Sequence, residues 1–311
     1  MVVLAGASLA VGAGSAPLDE VWRALTGFTG TNEQTIVRDI RLPRTILAVG
    51  VGAALGVSGA LVQTLTRNPL AEPGILGVTA GAAFAITVGT VLGISDSQSA
   101  RLALALAGAV LAALVVYGVG RSVPLRLVLA GVAFTFVLSG MTLALRLQYP
   151  DVLDKYRFWS VGSLAGREQT PYLVPMLAIV LALAGALLAT RPLAGLALGE
   201  DVAHAIGARV TRIRVAVLAL VTVLAAAATA IAGPIAFVGL MVPHLARRAA
   251  RGSVPWLMAY TMVLGPILLL VSDIGSRVLL PTGEVPVAVV TAFLGGPALI
   301  WVVRRYGAVE L

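Results

Sequence analysis

The sequence predicts an all-α bundle of about ten membrane-spanning helices, folded as a single transmembrane domain over residues 1–311. Three observations predict it. Apolar residues make up 59% of the chain and charged ones 12%, where soluble domains carry about a quarter charged. Uncharged stretches of bilayer length recur from end to end, since about 20 residues at roughly 1.5 Å of rise cover a hydrocarbon core of roughly 30 Å. The basic residues fall singly or in pairs at the ends of those stretches, where membrane lipid anchors them. The same placement accounts for a net charge of +8 without any nucleic acid partner.

Met1 to Ala13 is apolar but about a third short of a full span. With no basic leader region, it reads as a first helix lacking its opening turns, not as a signal peptide. Pro17 to Thr26 reads as an amphipathic segment at the interface, with Asp19, Glu20 and Arg23 on its wet side. From Ile46 to Leu65 the chain carries no charge and mostly small residues. Gly52 and Gly56 stand at GxxxG spacing and Ser58, Gly59 and Ala60 follow, so neighbouring helices can approach closely and this helix belongs inside the bundle. Prolines break the chain on both sides, in Arg41-Leu42-Pro43-Arg44 and in Asn68-Pro69-Leu70-Ala71-Glu72-Pro73-Gly74. Further apolar runs lie at Ile75 to Ile94, Arg101 to Gly120, Leu127 to Leu147, Pro171 to Thr190, Val215 to Ala232, Ile235 to Leu245, Trp256 to Val271 and Pro286 to Val303. The Ile235 run is short, and Gly233-Pro234 before it marks a tight reversal. With the C-terminus inside, twelve basic residues fall inside against ten outside, a small excess in that direction.

RLPR, a small-residue helix with a late glutamine (Gln63), NPLAEPGILGV, the GE-x-x-A-x-x-x-G pattern at 199–207 and FVGLMVPHLAR near the C-terminus together resemble the FecCD-type permease. These are membrane subunits of ABC importers for iron-siderophore complexes, haem and vitamin B12. The resemblance covers nearly the whole chain. It implies a type II importer architecture in a bacterial inner or plasma membrane, with both termini inside. It also implies partners: a second permease subunit, identical or paralogous, two ATPase subunits, and an extracytoplasmic substrate-binding protein.

Residues 198–208 lie between two apolar runs on the proposed inner side. Glu200 and Asp201 sit where a helix start favours acids, and Gly207 suits a helix stop, so a short capped helix is expected. A solvated connector is the plainer alternative. The resemblance implies that Leu198, Gly199, Glu200, Ala203 and Gly207 form a cytoplasmic coupling segment seated in the ATPase subunit.

Arg41, Arg44 and Arg277 fall at the proposed outer face, where interfacial anchoring is the plain role. The resemblance implies that they receive acidic residues of the binding protein, a task suited to the planar guanidinium fork. Asp273, four residues before Arg277, is placed to support it as an intrahelical ion pair. Asn68, Leu70, Pro124 and Leu125 match positions of the family's cytoplasmic gate, with small hydroxyl residues standing in a family member where this chain has Pro124 and Leu125. Val132 to Leu147 and Pro286 to Val303 match helices lining the translocation path. That path is expected to be mainly apolar, with Thr135, Ser139, Thr142 and Thr291 as polar exceptions, although buried hydroxyls commonly bond back to their own helix.

Several chemistries are excluded. There is no cysteine, hence no disulfide, thiolate nucleophile or iron-sulfur cluster. Lys155 is the only lysine and follows Asp154, so no GxxxxGK[ST] phosphate loop exists and ATP and magnesium belong to the partner ATPase. His204 and His244 have neither HExxH spacing nor a carboxylate partner, and no cofactor or metal is expected in this chain. No combination of nucleophile, base and orienting group points to an enzyme. An ion-coupled secondary transporter would need polar coupling residues at mid-membrane, and Asp273 lies near a helix end. Ferric siderophore is the cargo most frequent in the family, with haem and cobalamin as alternatives.

Overall fold

Small residues set the centre of the molecule. Helix α4 (Leu42–Thr66) is buried at every position from Val51 to Leu65. It packs against α13 (Val254–Val278), α11 (Val210–Ala232), α12 (Val238–Ala250) and α9 (Leu173–Ala197). A Cβ added at Gly52 would come within 2.7 Å of the Gly265 carbonyl oxygen on α13, and one at Gly59 within 1.9 Å of the Gly239 carbonyl on α12. Only glycine lets the backbones meet at those two crossings, as the small-residue pattern requires.

The computed structural model describes residues 1–12, 16–120, 124–205, 207–280 and 283–306, and among these the chain forms only helices and connectors. Six described helical stretches are long and apolar enough to cross a membrane: Asn32–Thr66, Gln98–Gly120, Arg126–Gln148, Leu173–Ala197, Val210–Ala232 and Val254–Val278. Val78–Val91 and Val287–Trp301 are shorter apolar helices. The expected ten crossings thus hold only in the coarser form of a polytopic helical bundle. Hydropathy counted apolar residues that do not continue a helix. The run from Ile75 becomes a 3₁₀ turn, Pro73–Leu76, followed by a 14-residue helix. The run from Ile235 becomes an irregular connector, 233–237, followed by the 13-residue α12, in place of the tight reversal.

Two matching sets of four helices emerge. The first is α4, α5 (Val78–Val91), α6 (Gln98–Gly120) and α7 (Pro124–Gln148); the second is α11, α12, α13 and α14 (Val287–Tyr306). In each set the second helix is short, and it packs on the third helix of its own set and on the first helix of the other. The connectors that open the two short helices meet each other. A Cβ on Gly239 would lie 3.0 Å from the Pro73 ring, and the Glu72 carboxylate faces the backbone N–H of Phe237. Phe237 caps α12 at φ +70, a left-handed conformation that costs a non-glycine residue energy. Its side chain is held against Gly295 of α14, where a Cβ would come within 2.7 Å.

At one end a second, small core gathers Leu9, Ala16, Val21, Ala24 and Val37. It joins α1 (Val2–Ala10), α2 (Leu18–Thr26), α3 (Asn32–Thr35) and a π-helical turn, Ile36–Arg41. Helix α2 turns Val21 and Ala24 inward and leaves Leu18 and Trp22 exposed, as a segment lying on an apolar boundary would. The remaining helices are α8 (Pro150–Ser160) and α10 (Glu200–Ala205). Past α8, the Ser163 N–H donates to the Ala232 carbonyl at 2.9 Å and the Ala288 N–H donates to Gly162 at 3.0 Å, tying this end of α8 to both α11 and α14.

Candidate functional site

The polar groups concentrate at the end where α4 begins and α13 finishes. Pro43 follows the π-helical turn Ile36–Arg41 within the continuous helical stretch Asn32–Thr66, and Arg41 and Arg44 lie on either side of it. Asp273 and Arg277 share one face of α13 at i,i+4 spacing. Arg44 donates from Nε to Asp273 at 2.9 and 3.2 Å, and its Nη1 reaches Glu284 at 3.0 Å. Arg277 donates to Asp273 Oδ2, which it shares with Arg44, and to the Ser8 carbonyl and hydroxyl at 2.8 and 3.1 Å. Arg41 donates to the Leu9 and Ala10 carbonyls at 2.9 and 2.7 Å, and the Ser8 hydroxyl lies 2.8 Å from that of Thr45.

Asp273 is fully buried, and Arg41, Arg44 and Arg277 are each no more than 6% exposed. Their guanidiniums are engaged within the chain, because a buried cation needs a charged or hydrogen-bonding partner. The expected Asp273–Arg277 pair is present. Sequence reasoning missed Arg44 as the second partner of Asp273, and also Glu284 and Ser8. Glu284 had one signal, as the lone carboxylate in the connector after α13.

At the opposite end, Leu198 closes α9 and Gly199, at φ +128, turns the chain into α10. The Ala203 N–H donates to the Gly199 carbonyl at 2.9 Å, Gly207 donates to His204 at 2.9 Å, and Gly207 itself adopts φ +77. Ala203 is fully buried, whereas Leu198 is 73% and Val202 44% exposed. The short capped helix is present, with an apolar edge facing outward. Glu200 opens it, and its side chain lies outside the described residues, as does Ile206 within the 198–208 segment.

Asn68 and Leu70 form a turn in which the Asn68 side-chain oxygen accepts the Leu70 N–H at 2.9 Å, leaving Leu70 exposed. Pro124 and Leu125 head α7, with their side chains outside the described residues. Of the four hydroxyls expected on a path, Ser139 is exposed and Thr135 half-buried. Thr142 and Thr291 are buried and donate back to Leu138 at 2.6 Å and Ala288 at 2.9 Å, so these two serve their own helices.

A cavity lies against α14, the helix formed by the run from Pro286. It measures about 790 Å³ and is lined by Glu72, Thr79, Ser160, Ile235, Ala292 and Phe293, among others. Among the described residues, Glu72 is the one carboxylate in its lining. Burial pushes that carboxyl up from its ordinary value, and the facing Phe237 N–H opposes the shift. Its traces in the sequence are the run Pro286 to Val303, which supplies Ala288, Val289, Ala292, Phe293 and Pro297 to the lining, and the proline-bearing connectors 68–74 and 233–237.

Gln63 laces α4 to α12. Its amide donates to the Gly239 and Leu240 carbonyls at 3.3 Å each and accepts from Arg247 at 2.9 Å. His244 is buried on α12. Among the described residues no three His, Cys, Asp or Glu side chains gather in a way that could hold a metal.

Comparison with known proteins extends these observations over the whole chain. The profile of the FecCD transport family matches residues 1–305. The ferric enterobactin transport system permease protein FepD of Escherichia coli K12 is 47% identical, over 98% of this chain and 92% of its own length. A Bacillus subtilis protein described as a siderophore transport system permease, YfiZ, is 38% identical over 92% of this chain and 87% of its own. Among solved structures, a metal-chelate type ABC transporter in an inward-facing conformation superposes with a TM-score of 0.86 at 29% identity, covering 98% of this chain and 96% of that one.

Proposed function

Because this chain belongs to the FecCD transport family, we propose that it is the membrane-spanning permease subunit of an ABC importer and carries a bulky iron chelate, a ferric siderophore, across a bacterial inner or plasma membrane. The observation that carries the proposal is the mostly apolar cavity of about 790 Å³. It borders α14, whose Phe293 is 81% exposed, and α7 leaves Phe136 74% exposed. A surface of this kind offers a large solute room without a ring of charges to hold it. The exposed faces of α7 and α14 are assigned to a second permease subunit, identical or paralogous, whose cavity completes the path.

Energy comes from two separate ATPase subunits that hold the ATP and magnesium, since this chain has no phosphate loop. The coupling role is assigned to Leu198, Gly199, Glu200, Ala203 and Gly207, supported by the exposed apolar edge on a short rigid helix. The gate is assigned to Asn68, Leu70, Pro124 and Leu125. The binding protein is placed at the end holding Arg41, Arg44, Asp273 and Arg277. Because these residues are buried, their role there is to fix the positions of α1, α4 and α13, whose ends form the receiving surface. Siderophore takes precedence over haem or cobalamin because the relatives at 47% and 38% identity are both named for siderophores.

The test is reconstitution in vesicles with a cognate ATPase and binding protein, following ⁵⁵Fe-labelled ferric siderophore. Uptake should require ATP and all components. Chelate movement by this chain without the ATPase would refute the proposal and favour an ion-coupled carrier.

A further inference from the structure

A second cavity, of about 510 Å³, opens at the end of the bundle that carries α10. Thr64 and Arg67 from the end of α4, Leu198 from the end of α9, Arg247 from α12, and Gly252 and Ser253 before α13 contribute to its lining. Among the described residues, none in the lining is acidic. Arg67 donates from Nη2 to the Leu196 carbonyl at 3.0 Å. Arg247 gives Nη2 to Gln63, while its Nε and Nη1 are buried and have no acceptor. A guanidinium with two dry, unpartnered nitrogens is costly unless something supplies acceptor oxygens. The first turn of α13 opens onto the same space, and the Ser253 side chain does not cap it. Helix starts favour negative charge.

From the two guanidiniums, the orphaned N–H groups, the missing carboxylate and the room available, we infer that this cavity binds a phosphate group. Phosphate matches both demands of the site. It brings several acceptor oxygens to planar forks that can each grip two of them, and it carries the charge that neither arginine finds in the lining. The volume exceeds what a lone anion needs and accommodates the glycerol of a phospholipid headgroup. Two sources therefore share the chemistry: an anionic lipid such as phosphatidylglycerol, or free phosphate. Either would bridge the ends of α4 and α9 to α12 and α13, directly beside the segment that turns into α10.

The experiment uses the full chain, purified in neutral detergent and in nanodiscs of phosphatidylcholine with or without phosphatidylglycerol. Inorganic phosphate is titrated against chloride at matched ionic strength while the thermal midpoint is followed, and native mass spectrometry counts retained phosphatidylglycerol. Phosphate, phosphatidylglycerol or both should raise the midpoint. A response to lipid alone identifies the headgroup as the source, and a response to inorganic phosphate identifies the free anion. Arg247→Gln and Arg67→Gln should each weaken the response at least tenfold, while the exposed Arg212→Gln leaves it unchanged. Ser253→Asp separates loss of the site from loss of the fold: a carboxylate at the start of α13 should abolish the response while the midpoint without ligand stays level or rises. Equal responses to phosphate and chloride together with no selectivity for phosphatidylglycerol, or wild-type responses in both arginine variants, would overturn the inference.

Discussion

Replacing Asp273 by Asn tests the buried ion cluster that fastens α13 to α4. The carboxylate is fully buried, and two guanidiniums bond to it, from Arg44 and Arg277. At an effective dielectric near 20, each charge pair at about 4 Å is worth about 4 kcal/mol, before the cost of desolvating the partners. The neutral amide keeps the shape but leaves two like charges facing each other in a dry site. Part of the loss is offset, because Arg44 retains Glu284 and Arg277 retains the Ser8 carbonyl. Breaking a buried pair from one side typically costs about 3 to 5 kcal/mol, and a value near the lower end is expected here. The assay is reversible unfolding in mixed micelles, run as a double-mutant cycle with Arg277→Gln. Removing the stranded cation should recover part of the loss, giving a coupling of at least about 1 kcal/mol. A D273N variant within about 1 kcal/mol of wild type, or simple additivity in the cycle, would show that the cluster does not hold the helices together.

Three further outcomes follow from the same geometry. Gly59→Ala places a methyl group 1.9 Å from the Gly239 carbonyl and should destabilise the chain by about 3 kcal/mol or separate α4 from α12, read by unfolding and by a cross-link across that contact. Gln63→Leu leaves Arg247 without its one side-chain acceptor and should cost about 1 to 3 kcal/mol, measured in the same unfolding assay. Val202→Asp alters an exposed residue, so stability should stay within about 0.5 kcal/mol, yet co-purification of the ATPase and ATP-driven uptake should fall at least tenfold. Unchanged uptake in that variant would remove α10 as the coupling element.

Legibility followed the range of the interaction. The central place of α4 was visible because close helix approach is written locally, in Gly52, Gly56 and Gly59. The short helix at 200–205 was likewise visible, since its acids at the start and Gly207 at the end act within one turn. The half-length of α5 and α12 was not, because hydropathy weighs residues and is blind to the backbone path. Ile75 and Ile235 score as membrane residues yet lie in a 3₁₀ turn and an irregular connector. The depth of the arginines was hidden for a different reason. Spacing placed them at one end of the bundle, whereas burial depends on partners that lie 229 positions away for Arg44 with Asp273 and 269 for Arg277 with Ser8.

The two connectors that interrupt the apolar runs are also where the candidate path is built. A continuous helix satisfies its own N–H and carbonyl groups and offers a passing solute only side chains. Ending α4 at Thr66 and restarting at Val78, and ending α11 at Ala232 and restarting at Val238, opens the backbone inside the bundle instead. Freed N–H groups of the first connector bond locally, Ala71 to Asn68 and Ile75 to Glu72, while the Phe237 N–H of the second faces the Glu72 carboxylate across the two halves and Pro73 closes over Gly239. The two broken segments thus meet, and the cavity of about 790 Å³ lies against that junction. A relative movement of the halves would necessarily change both this contact and the cavity wall. Glu72→Gln is therefore expected to weaken the junction while leaving the glycine crossings of α4 intact.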